Sequence, residues 1–354
     1  MLVRIKTSIL PMTLILLSSI MFSGCVSNKL KFSAEHISVS DKEQRMEESL
    51  KIGLVTDIGG IKDPFCRSAL EGLNKAKKEI GINIDYKESL TQTDYSKHIE
   101  DMIGQECDLV WGIGFMMGQP IQKIAVANPN QKFAIIDYSY EKAAPKNLLS
   151  VTFKEHEAGF LVGYIAGKMT KGNRVGFIGG VDSSVIRKFH YGYKAGVRLA
   201  NEQCEVMEEY SGSFSKPEIG REIASSMYSK GADIIFHAAG GTGNGLIQAA
   251  KEMNKYAIGV DIDQSIDAPE HVITSAMKRV DNAIYNTAKD LQEGRWNGGA
   301  TIEYGLAEGG VDIAPSSGKL VSQWILDDVE KIKIKIIAGD IKVPRTKEEY
   351  EMLN

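Results

Sequence analysis

The chain has 354 residues, of which 25% are charged and 43% hydrophobic, and a formal net charge of −4. These values suit a folded soluble body, argue against a disordered or membrane-spanning chain, and leave room for two domains. An acidic chain also lacks the clustered basic surface that a nucleic-acid partner would call for.

The first residues read as an export signal. Arg4 and Lys6 give a positive start, Ile9 to Phe22 is apolar, and Phe22-Ser23-Gly24-Cys25 closes the stretch, the three-part pattern of a targeting segment. Small residues before a cysteine resemble the lipobox of bacterial lipoproteins, with Phe22 where leucine is usual. The expectation is a signal peptide over 1–24 and a lipid on Cys25, anchoring the protein to the cell membrane on its extracytoplasmic side. A secretory signal or an uncleaved span is the alternative; the span is disfavoured by Pro11 and by a length short of about 20 apolar residues. Residues 25–49 are polar, charged and aperiodic, as in a flexible tether.

From residue 50 onward strand-like and helix-like segments alternate, which predicts βαβ units and an α/β fold with parallel sheets. Lys51–Asp57 is a short apolar run ending on a carboxylate. It passes through Gly59-Gly60 and opens a helix at about Pro64, with Ala69, Leu70, Leu73, Ala76 and Ile80 at helical spacing. Strand Ile82–Glu88, helix Tyr95–Gly104, strand Asp108–Gly114, a helix to Ala127, and strands Lys132–Asp137 and Leu148–Phe153 follow. After a helix at 155–170 the order restarts: strand Arg174–Gly180, helix 184–202, strand Glu205–Tyr210, helix Pro217–Lys230 and strand Ala232–Ala239. A helix, strands Tyr256–Ile262 and Val272–Lys278, and a helix at 281–293 complete it. Two halves of the same order imply two related lobes facing each other. Within the helix at 155–170, Gly159, Gly163 and Gly167 recur every fourth residue, which fits a buried helix in close backbone contact better than a membrane segment.

Enzyme signatures do not assemble. His156-Glu157 has Phe160 where a second zinc-binding histidine would stand, and the other histidines show no metal-ligand spacing. Ser213-Phe214-Ser215-Lys216 fits SxxK with no KTG after it, and the Gly240–Gly245 run lacks the lysine of a phosphate loop. Cys66, Cys107 and Cys204 form neither a disulfide framework nor a zinc site. No cofactor and no metal are therefore expected. What recurs is a set of groups at strand ends, where open α/β sheets bind ligands: Asp57, Phe115, Asp137, Gly240, Asp261 and Lys278, with Phe65 and Phe214 on loops. A single such aspartate is more often a turn former or helix cap. As a set, carboxylates, one amine and flat aromatic faces suit a planar ring bearing hydroxyls.

The lipobox, V-T-D-x-G-G-I-x-D from Val55, G-x-G-F at 112–115, Asp137, E-H-E-A-G-F-L-V-G-Y-I-A-G-K at 155–168, R-V-G-F-I-G-G at 174–180, A-A-G-G-T-G ending at Gly243, G-V-D-I-D-Q at 259–264 and T-S-A-M-K at 274–278 together resemble the basic membrane protein family. That family comprises substrate-binding lipoproteins, among them purine-nucleoside receptors of ABC transporters. The likeness covers roughly residues 50–310 and implies a type I periplasmic-binding-protein fold. Two Rossmann-like lobes, 50–154 with about 279–308 and 155–278 with about 309–354, would be joined by a three-strand hinge that closes on ligand. The chain after Lys278 would return to the first lobe before a last crossing.

The resemblance implies a monomer that carries a nucleoside, a purine above all, to an ABC permease. Asp57 and Asp137 would face the base, Phe65 and Phe214 would wall it, Gly240 would allow backbone approach, and Asp261 and Lys278 would hold ribose hydroxyls. One departure stands out: the family's D-K-S-F-N is Asp63-Pro64-Phe65-Cys66 here, one residue shorter and with Cys66 in place of asparagine. Cysteine hydrogen-bonds poorly, so a changed ligand preference is one expectation at that corner, and a backbone group or water in the gap is another. Another hydroxylated ligand on the same fold, a sugar or a furanose signal, is a rival reading. A surface interaction protein with a vestigial cleft and an enzyme acting on nucleosides are the others.

Overall fold

The computed structural model describes residues 49–140 and 144–353. The expected signal peptide, the lipidation site Cys25 and all but the last residue of the expected tether lie outside those residues.

The first half contains β1 (Lys51–Val55), α1 (Pro64–Ile80), β2 (Asn83–Lys87), α2 (Asp94–Gly104), β3 (Leu109–Ile113), α3 (Gly118–Ala127), β4 (Lys132–Ile136) and β5 (Leu148–Phe153). The second contains α4 (Glu155–Met169), β6 (Arg174–Gly179), α5 (Ser184–Ala200), β7 (Glu205–Tyr210), α6 (Pro217–Ser229), β8 (Ile234–Ala238), α7 (Gly243–Met253), β9 (Tyr256–Asp261) and β10 (Val272–Lys278). α8 (Val280–Gln292), β11 (Thr301–Tyr304), β12 (Val311–Ile313), α9 (Gln323–Ala338) and α10 (Lys347–Glu351) complete the chain. Through α8 the element order is the one the sequence predicts; β11, β12, α9 and α10 lie beyond the elements read from it. Strands expected to run onto Asp57, Gly114 and Asp137 stop one or two residues sooner, because the backbone leaves the pleat there: Gly114 has φ +109° and Asp137 φ +68°.

Two six-stranded sheets result, in the orders β11-β5-β4-β3-β1-β2 and β12-β10-β9-β8-β6-β7. The orders correspond strand for strand. Every pairing is parallel except β12 against β10, which is antiparallel and departs from the expected all-parallel sheets. The chain arrives at β12 directly from the other lobe, so no helical crossover constrains its direction. β11 lies in the first sheet, beside β5.

The lobes are joined three times: between β5 and α4, between β10 and α8, and between β11 and β12. These strands are hydrogen-bonded to one another at the crossings, Lys154 N–H to Tyr304 O at 2.9 Å and Arg279 N–H to Gly310 O at 2.8 Å. α4 is buried from Glu155 to Gly167 and lies backbone to backbone on α5. A Cβ at Gly163 would stand 2.2 Å from Tyr193 O, and one at Gly196 only 2.0 Å from Phe160 O. The glycine stripe thus does what its spacing predicts. No helix among the described residues is long and apolar enough to cross a membrane.

Candidate functional site

The carboxyl ends of both sheets meet at one cleft, with about 480 Å³ of empty space between its walls, part of it open to solvent. The first lobe contributes Asp57, Asp63, Phe65, Gly114, Phe115 and Asp137 to its lining; the second contributes Val185, Ile186, Phe189, Phe214, Ala238, Gly240, Val260, Asp261 and Lys278. Eight of the nine site residues expected from the sequence are among them. The exception is Cys66, which lies fully buried in the core and outside the cavity lining. It sits in the first turn of α1 and packs in the core with Ile52 and Leu54 of β1, so the expectation that it faces the ligand is corrected.

Asp57 follows β1 and is held from two sides. Tyr95 on α2 donates its hydroxyl to Oδ1, and the Ile58 N–H donates to the same oxygen at 2.7 Å. Burial raises its pKa, and these two donors partly offset that. Gly114 is required beside it, since a Cβ there would lie 2.8 Å from Asp57 Oδ2. Asp137 and Lys278 form an ion pair across the lobes, Nζ to Oδ2 at 2.5 Å. Asp137 Oδ1 is buried with no hydrogen-bond partner among the described residues. The Lys278 ammonium is also 3.2 Å from Glu155 Oε1 and lies over the Phe65 ring at 5.0 Å. Burial works against its charge, but Asp137, Glu155 and Asp261 together more than compensate and raise its pKa. Asp137 is raised by burial, with Lys278 opposing.

Asp261 stands at φ +65° at the end of β9. Its neighbours are electrostatic only: burial pushes its pKa up to about 8, Lys278 pulls it down, and Asp63, Asp137 and Glu155 push it up. Its oxygens are free to accept hydrogen bonds from a ligand. Phe115 and Phe214 come from opposite lobes and meet edge to face at 6.3 Å, while Val185, Ile186 and Phe189 of α5 supply the apolar side. The lining includes no histidine, serine, threonine or cysteine, and the described residues contain no cluster able to hold a metal ion. The arrangement accepts hydrogen bonds, stacks a ring and presents one cation.

Asp63, Tyr95 and Glu155 are the polar groups that sequence reasoning passed over. Asp63 reads as an ordinary cap before Pro64, Tyr95 as part of an apolar helical stripe, and Glu155 as an acid in a helix's first turn. The apolar trio of α5 has the spacing of any core stripe.

Comparison with known proteins agrees with this geometry. Residues 50–347 match the family model described as ABC transporter substrate-binding protein PnrA-like. Basic membrane protein A of Borreliella burgdorferi is 38% identical, over 96% of each chain. The CD4+ T-cell-stimulating antigen of Listeria innocua is 36% identical, over 96% of this chain and 98% of that one. Among solved structures, a solute-binding protein of an ABC transporter system from Aeropyrum pernix K1 superimposes with a TM-score of 0.77 at 27% identity, covering 86% of this chain and 96% of that one. A transcriptional activator of the comK gene from Bacillus halodurans, at 20% identity and a TM-score of 0.71, shares the fold. With its family model, its relatives and its two-lobed α/β fold in agreement, the chain belongs to the PnrA-like family of ABC-transporter substrate-binding proteins, which includes the basic membrane proteins.

Proposed function

We propose that the protein is a lipid-anchored, extracytoplasmic binding protein that captures a nucleoside, a purine nucleoside first, and presents it to an ABC permease. The observation that carries the reading is the pairing of acceptors with an aromatic pair inside one interlobe cleft. Asp57 and the unpartnered Asp137 Oδ1 accept from base N–H groups, and Asp261 with Lys278 serves vicinal ribose hydroxyls. Phe115, Phe214 and Phe65 offer ring faces and edges. Both lobes contribute, so hinge closure completes the site. Binding without turnover is the expected behaviour.

Titration calorimetry with a panel of nucleosides tests the reading; absence of heat with every purine nucleoside rules out the purine assignment. Asp261→Ala is expected to weaken binding by about 1.5–3 kcal/mol, the scale of a hydrogen bond to a charged group, or roughly 10- to 150-fold. Unchanged affinity removes Asp261 from the site. Carboxylates and aromatic rings also suit a sugar, so competition by free base against competition by free ribose separates the two ligand classes.

A further inference from the structure

One carboxylate in the cavity has a role that ligand contact does not explain. Asp63 is the N-cap of α1, its Oδ1 accepting from the Phe65 N–H at 2.9 Å. It is 6% exposed and belongs to the first lobe. The groups seated against it belong to the second. A Cβ on Gly240 would stand 2.3 Å from Asp63 Oδ2, and the Gly241 amide faces the Asp63 carboxylate closely enough to favour its charged form. Gly240 itself has φ +52°, so both its backbone conformation and its missing side chain are needed for the approach.

Gly240–Thr242 forms a short 3₁₀ turn that runs into α7. The Asp63 carboxylate therefore caps its own α1 in one lobe and seats against the turn leading to α7 in the other, at a helix start where negative charge is favoured. We propose that Asp63 is an interlobe latch: it positions the second lobe in the closed arrangement by seating its carboxylate against Gly240 and the Gly241 amide, before any ligand contact is counted. Ligand binding would add to a closure that the chain already favours, which reduces the free energy a ligand must supply to shift the two-state equilibrium. The proposal rests on the binding-protein reading of the cleft, but its test uses no ligand, so the two fail separately.

Amide hydrogen exchange on the full-length chain, followed by mass spectrometry, reads the latch directly. Serine and asparagine are both good N-caps, so Asp63→Ser and Asp63→Asn keep α1 closed off at its start. Serine is too short to span the lobes, and asparagine turns a donor or a single acceptor toward Gly241. In both variants the amides of 239–243 are expected to exchange at least tenfold faster than in wild type, while the amides of Phe65 to Arg67 and the thermal midpoint stay unchanged. Gly240→Ala, which forces the same contact apart from the opposite lobe, is expected to produce the same local loss of protection. Wild-type exchange at 239–243 in the Asp63 variants overturns the latch. So does loss of protection spread equally over α1, which would make Asp63 a cap and nothing more.

Discussion

Lys278→Met is the sharpest test of how the site is held together. Methionine keeps most of the side-chain volume and removes the ammonium, leaving Asp137 and Glu155, at 2.5 and 3.2 Å from it, buried without their shared cation. Breaking a buried pair in this way typically costs about 3–5 kcal/mol. The folded unit spans Ser49–Asn354; at about 2.1 cal/mol/K per residue, 1 kcal/mol is worth about 1.5 °C in Tm. The expected fall is therefore about 5–8 °C at pH 8, followed by circular dichroism. Its pH dependence has a definite sign. The folded pKa of Asp137 is already raised by burial, and losing Lys278 raises it further. Such a group's stability is present in full below its unfolded pKa and lost as pH rises through the folded value. The deficit of Lys278→Met should thus shrink toward pH 5, and adding Asp137→Asn should recover about 2 kcal/mol or more relative to additivity. A variant melting within 2 °C of wild type at pH 8, or a deficit independent of pH, refutes the reasoning.

Nucleoside monophosphates should bind at least about 100-fold more weakly than the parent nucleosides, as calorimetry would show. Among the described lining residues the one cation is already paired with two carboxylates, and the turn at Gly240, where a phosphate would otherwise dock, has the Asp63 carboxylate against it; equal affinities contradict this. Ligand binding near pH 7 should release protons. Asp261, pushed up to about 8 in the free protein, is ionised by hydroxyls that donate to it, so its pKa falls on binding and affinity rises with pH until about 8. Binding heats at pH 7 that are the same in phosphate and Tris buffers would show that no proton leaves.

The fold was largely legible because strand-and-helix alternation is a local pattern, and the repeat of that pattern in two halves is visible along the chain. The strand-end aspartates were legible for a related reason: the carboxyl ends of parallel strands converge, so Asp57, Asp137 and Asp261 are brought together by topology alone. Contacts between lobes leave no such trace. Asp63 lies 177 residues from Gly240, and its local setting, a carboxylate followed by Pro64 and a helix, is fully accounted for by capping. Cys66 was misread because it was judged by its neighbours in a motif rather than by the face of α1 it occupies. The antiparallel β12 is three residues long, too short for its direction to be read from periodicity.

The same buried lysine lines the interlobe cavity and touches the hinge, and the first turn of α4 explains how. Lys154 donates its N–H to Tyr304 O, on the third crossing. Glu155 reaches Lys278 on the second crossing and Lys188 of α5 at 3.1 Å. Glu157 accepts the Leu306 N–H at 2.7 Å, also on the third crossing. Lys188 in turn donates to Phe153 O at 3.0 Å, on the first. One helical turn thus gathers all three connections between the lobes. Of the two carboxylates beside Lys278, Asp137 follows β4 in the first sheet, whereas Glu155 is fixed at the hinge. Opening the cleft would draw Asp137 away and leave Glu155 in place, so the ammonium would stay compensated throughout the motion and the large cost of an isolated buried charge would not arise. Asp137 would meanwhile gain solvent as its ion pair opened, losing a partner and a burial penalty together. The hinge can then move without a steep electrostatic barrier, while the closed state still requires Lys278 and Asp137 to meet. An open form in which Lys278 stays with Asp137 and leaves Glu155 would place the moving boundary on the other side of this lysine.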